Sequence, residues 1–127
     1  MVSQGASRTE GHSEPLVEIS DVSRIYSTGG ERVGGLQSVS LRIQLGEFVA
    51  LMGPSGSGKT TLLNIIGGID NPSAGVVRVN GEDIHALSDA RRTQWRARNV
   101  GFIFQLYHLH PAFNAEHNVI LPLRLFA

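Results

Sequence analysis

The sequence of 127 residues has no cysteine, and its eleven basic and eleven acidic residues cancel. Without cysteine there is no disulfide framework, no thiolate metal site and no cysteine nucleophile, a composition compatible with a reducing cytoplasm. Zero net charge and a pI near 7.0 give no electrostatic reason to expect a nucleic-acid partner. No apolar run approaches the roughly 18 residues that a membrane span needs, so membrane contact is expected only through a partner. Residues 1–14 are mostly Ser, Gly, Gln, Glu and Arg with no apolar stretch. They read as a disordered tail and not as a signal peptide. Lysine is the scarcest charge: ten of the eleven basic residues are arginine, and the one lysine is Lys59.

What is present is an α/β pattern. Residues 16–22 and 39–45 alternate apolar and polar side chains, as half-buried strands do, with a Gly-rich turn over 27–32 between them. Residues 48–52 (FVALM) are continuously apolar, the signature of a strand buried on both faces. A helix is expected over 60–67, ended by Gly67-Gly68. A strand is expected over 76–79, turned by Asn80-Gly81. Ser88 is placed to cap a helix over 90–98. A further apolar strand is expected over 100–104, a loop over 105–113, and a helix from about 114 that Pro122 interrupts. With apolar residues at 41%, there is enough for a core.

The lone lysine stands in Gly53-Pro54-Ser55-Gly56-Ser57-Gly58-Lys59-Thr60, a G-x4-G-K-[ST] spacing. Glycines let the backbone curl so that successive N–H groups face phosphate oxygens, and the helix that follows adds its positive N-terminal end. An ammonium on a flexible stem reaches between β- and γ-phosphates in a way that a planar guanidinium does not. The Thr60 hydroxyl suits magnesium, and Thr61 can donate to the α-phosphate. At this chain's own residue frequencies the one lysine would be so flanked by accident roughly two times in a thousand. The loop is therefore expected to bind the phosphates of a nucleotide, ATP with Mg2+.

These residues resemble the nucleotide-binding domains of ABC transporters. Residues 53–63 (GPSGSGKTTLL) are close to that family's phosphate loop. Residues 36–47 (LQSVSLRIQLGE) are similar to its leading strand, 71–75 with 79–81 to its P-x-x-G…V-x-G hairpin, and 100–105 (VGFIFQ) to its Q-loop strand. Residues 105–111 and 115–122 look like the lipoprotein-release and macrolide-export branch, although His110 departs from the leucine usual there. The resemblance covers about 16–127. It implies a P-loop fold of ABC type: an N-terminal antiparallel patch, the start of a RecA-like core and the opening of a helical subdomain, with 15–127 as a partial ATP-binding domain. It also implies that Tyr26 stacks on adenine, and that Gln105 positions magnesium and the attacking water. A transmembrane permease partner is implied as well, with pairing to a second ATP-binding domain and a place at the cytoplasmic side of the inner membrane.

The resemblance also marks what is missing. No Leu-Ser-Gly-Gly-Gln signature occurs, and no apolar strand ends in the Asp-Glu pair that holds magnesium and activates water; the switch histidine is absent too. The sequence reads as an interrupted first half of the domain, expected to be poorly stable and to bind ATP without appreciable turnover. The alternative is a non-catalytic fragment that pairs with a complete subunit. A small-molecule kinase fits poorly with 100–122. His108, His110 and His117 are too loosely spaced for a metal site, and the Arg-rich stretch 91–98 reads as a solvated helix face.

Overall fold

A computed structural model describes residues 2–4 and 14–125, with only the backbone of 2–4 and of Leu125. The two alternating segments form one long antiparallel hairpin. β2 (Val17–Thr28) and β3 (Glu31–Ile43) are joined at Gly29-Gly30, whose φ angles of 61° and 89° suit glycine. β5 (Ala74–Val79) pairs antiparallel with the other edge of β2. The short β6 (Glu82–Asp83) follows the Asn80-Gly81 turn, giving the order β3-β2-β5-β6. Register shifts between Ile19 and Ile25 mark bulges in β2. There Asp21, at φ 49°, accepts from the Ser38 and Ser40 hydroxyls.

Helix α1 (Lys59–Ile66) lies on this sheet through Leu62 and Ile65, three residues apart and so on one face. The two join Val17, Ile19, Val22, Leu36, Leu41, Val77 and Ile84 in a single core. The Phe102 ring packs where a Cβ on Gly67 would stand, so this helix ends on a residue with no side chain. Helix α2 (Asp89–Asn99) starts at Ser88, whose hydroxyl accepts from the Arg91 N–H. Trp95 packs against the core, and Arg96 donates to the Gly68 carbonyl at 2.8 Å. The basic helix is therefore only partly a solvated face.

Four expectations are corrected. The strand expected over 48–52 is β4 (Val49–Leu51), and it is not buried on both faces: Phe48 is 87% exposed and Met52 55%. Among the described residues it pairs only with β1 (Val2–Gln4), antiparallel, in a two-stranded sheet, and only Leu51 of it packs against the core. β1 itself departs from the disordered tail expected over 1–14. The open edge of β4 offers unpaired N–H and C=O groups, and this segment takes them up; residues 1 and 5–13 lie outside the described residues. Residues 100–104 form no strand, because an apolar run forms one only beside a backbone partner; Ile103 is fully exposed. Finally, α3 (Ala115–Leu125) runs through Pro122. Pro122 is exposed, and the carbonyl it leaves without an N–H can be met by water.

Candidate phosphate-binding site

The glycine loop leaves β4 and curls before α1. Its first turn is closed by the Ser57 N–H on the Pro54 carbonyl at 3.1 Å. Gly56 and Gly58 have φ of 79° and 93°, the left-handed region where a side chain is strained. Gly58 is constrained twice, since a Cβ there would strike the Gly35 carbonyl of β3. At Gly58 the loop is thus pressed onto the hairpin backbone, and the need for glycine at that position follows from the contact.

Helix α1 begins without a side-chain cap, and no acidic residue lies in its first turn. Its first intrahelical bond is Leu62 N–H to Gly58 carbonyl at 2.9 Å. The N–H groups of Lys59, Thr60 and Thr61 therefore have no helical acceptor, and the helix dipole adds positive potential at the same place. Lys59 turns its ammonium back onto the loop, donating to the Gly53 carbonyl, to the Pro54 carbonyl at 2.8 Å and to the Ser57 hydroxyl at 3.3 Å. These contacts keep the positive charge inside the curl. Thr60 is exposed, and its hydroxyl is free for a hard cation. Ser55, Gly56 and Ser57 are also exposed.

Tyr26, near the end of β2, reaches α1. Its hydroxyl is 3.2 Å from the Thr61 hydroxyl and donates to an Asp70 carboxylate oxygen at 3.2 Å. With that proton given to Asp70, Thr61 must donate to Tyr26. The Thr61 hydroxyl proton is then spent, and only its backbone N–H remains for a phosphate. Arg24, two residues before Tyr26 on the same strand, makes a two-point contact with Asp70 at 3.1 and 3.0 Å. Its guanidinium lies 4.8 Å from the Tyr26 ring centroid. The ring edge sits 2.6 Å from where a Cβ on Gly35 would be, a position that only glycine leaves open.

The phosphate loop and Tyr26 are thus brought together on one side of α1. Gln105 is not: it lies exposed in a bend, with no hydrogen bond to the loop. Its expected role draws no support from position here. Sequence reasoning misses the pairing of Arg24 with Asp70, although Arg24 is two positions from Tyr26 on the same strand and Asp70 follows the Gly67-Gly68 helix end after one residue, Ile69. Among the described residues no group of three His, Asp or Glu side chains could hold a metal ion, and none of the helices is long and apolar enough to cross a membrane.

A family profile described as ABC transporter matches residues 36–124. The LolD ATP-binding protein of the lipoprotein-releasing system of Anaeromyxobacter dehalogenans is 50% identical over 109 residues, 86% of this chain and 46% of that protein. The macrolide export ATP-binding/permease protein MacB 1 of Yersinia pestis bv. Antiqua is 50% identical over 107 residues, 84% of this chain and 16% of that one. The dimeric ATP-binding cassette MJ0796, in a post-hydrolysis state bound to ADP and Pi, superposes with a TM-score of 0.83 at 42% identity, covering 88% of this chain and 48% of that chain. The chain spans about half the length of the LolD protein it matches.

Proposed function

This chain belongs to the ABC transporter family, and from that premise we propose that it is the phosphate-binding half of an ATP-binding subunit that drives export or lipoprotein release through a transmembrane permease. The observation that carries the reading is the loop at 53–60 closing on a helix whose first three N–H groups have no helical acceptor. Glycine amides and the Lys59, Thr60 and Thr61 N–H groups hold the phosphates. Lys59 exchanges the Gly53 and Pro54 carbonyls for β- and γ-phosphate oxygens, an exchange of neutral for charged acceptors that favours the bound state. Tyr26 stacks on the base. Thr60 and Gln105 would hold Mg2+, which would supply neutralisation of phosphate charge. The named lipoprotein-release and macrolide-export relatives support the branch, and the dimeric cassette supports pairing with a second ATP-binding domain. That assembly would sit on the cytoplasmic side of the inner membrane.

No carboxylate in this chain follows an apolar strand as a base for the attacking water, so the 127 residues bind ATP without appreciable turnover. Equilibrium titration of the purified chain with Mg-ATP, beside a phosphate-release assay, tests both statements. Saturable binding without release is the expected result. Absence of binding in a folded sample would refute the site, and magnesium-dependent release would refute the inactivity.

A further inference from the structure

The network around Tyr26 contains more than base stacking requires. A ring that stacks on a base needs only its face. Here the hydroxyl is also fixed from two elements: Thr61, two residues after the loop lysine, and Asp70, beyond the end of α1. Asp70 is held in turn. It takes the Arg24 guanidinium on both oxygens and the Asn71 N–H at 2.8 Å. Its own backbone N–H is tied to the Asn64 carbonyl at 3.1 Å. The hairpin tip carrying Tyr26 is open by contrast: Ile25 is 45% exposed, and residues 27–34 are exposed throughout. Without an anchor, the ring would share the freedom of that tip.

We propose that Asp70, braced by Arg24, is a positioning residue for the nucleobase: it fixes the height and tilt of the Tyr26 ring relative to the phosphate loop, so that base and phosphates of one nucleotide are met together. The inference rests on the proposed ATP site. Two features carry it. The carboxylate sets the direction of the hydroxyl chain, making Tyr26 the donor to Asp70 and Thr61 the donor to Tyr26. The Arg24 guanidinium, bound to the same carboxylate, also lies over the Tyr26 ring, so one ion pair restrains both the edge and a face of the platform. A ring restrained in advance loses less freedom when a base stacks on it.

The competing reading is that the ion pair only ties residue 70 to the hairpin. Titrating the full chain with Mg-ATP and with Mg-tripolyphosphate separates the two, since tripolyphosphate engages the loop and has no base. Asp70→Ala is expected to weaken ATP by about fivefold or more, the lower bound for losing an aromatic–base stack, and to leave tripolyphosphate unchanged. Tyr26→Phe keeps the ring and removes the anchor. Because it also releases the Thr61 hydroxyl, its effect is read as the ratio of ATP to tripolyphosphate affinity. That ratio should fall in the same sense and fall no further in the Asp70→Ala background. Equal losses for both ligands in Asp70→Ala, or a wild-type ratio of ATP to tripolyphosphate affinity in Tyr26→Phe, overturn the proposal. A wild-type chain that binds neither ligand, or binds both equally well, overturns the ATP reading itself, and this inference with it.

Discussion

Lys59→Ala removes the only ammonium on a side chain and leaves the loop backbone in place. In the free protein, the Lys59 ammonium rests on the Gly53 and Pro54 carbonyls and the Ser57 hydroxyl. Those acceptors lie in an exposed loop and can turn to water, so the loss of stability should stay within about 1 kcal/mol. In the nucleotide complex the same group faces phosphate oxygens. A hydrogen bond to a charged group contributes about 1.5–3 kcal/mol, or roughly ten- to 150-fold in affinity. Calorimetric titration with Mg-ATP, with a circular-dichroism melt on the same sample, should therefore show a melting temperature lowered by no more than about 5 °C and a Kd raised at least tenfold. Lys59→Arg is the sharper control. It keeps the charge, but its planar fork does not fit the approach that the ammonium makes to two successive carbonyls, so affinity should fall nearly as far. A folded alanine variant with wild-type affinity would refute the site. An arginine variant with wild-type affinity would refute the geometric argument and leave only the charge.

Three further outcomes are expected. Gly58→Ala places a Cβ against the Gly35 carbonyl at φ 93°; beyond the roughly 1–2 kcal/mol of left-handed backbone strain, the loop must shift, so melting temperature and ATP affinity should both fall, and an unchanged melt would show the loop free of the hairpin. Ile65→Ala empties the fully buried position that joins α1 to the sheet and should cost about 2–5 kcal/mol, read as a lowered urea midpoint or an unfolded chain. Burial lowers the pKa of His85, which bonds the Ile65 carbonyl at 3.0 Å, below its ordinary 6.5. The unfolded chain then takes its proton first as pH falls, so stability is full above pH 6.5 and declines from there toward the folded pKa. Melts from pH 8 to 5 should show this decline in the wild type and a flatter one in His85→Asn; parallel curves would remove His85 as the cause.

The glycine loop, α1 and the Asn80-Gly81 turn are legible in the sequence because each depends on backbone chemistry a few residues long. The Ser88 cap is legible for the same reason. Residues 48–52 and 100–104 are less so. An apolar run states that a segment needs cover; it does not state which backbone will pair with it. β4 consequently takes an unexpected partner in β1, and 100–104 takes none. The candidate site divides along the same line. The loop glycines and Lys59 can be read from spacing, whereas Arg24 and Asp70 meet across 46 positions, a contact visible only once β2 and the exit of α1 are side by side. Thr61 shows the limit in the other direction, since residue type alone does not reveal that its hydroxyl proton is already in use.

Gly35 has an effect beyond its own strand. Its missing side chain admits the Tyr26 ring, and its carbonyl is where a side chain on Gly58 would strike. Positions 26, 35 and 58 therefore make one layered contact, and their substitutions should be epistatic. A library randomised at 53–60 alone would undercount the constraint on this loop, because a tolerated change at 58 would require a compensating backbone move at 35, and through it a new rotamer at 26. The mutational neighbourhood of the phosphate loop thus extends into the hairpin that precedes it.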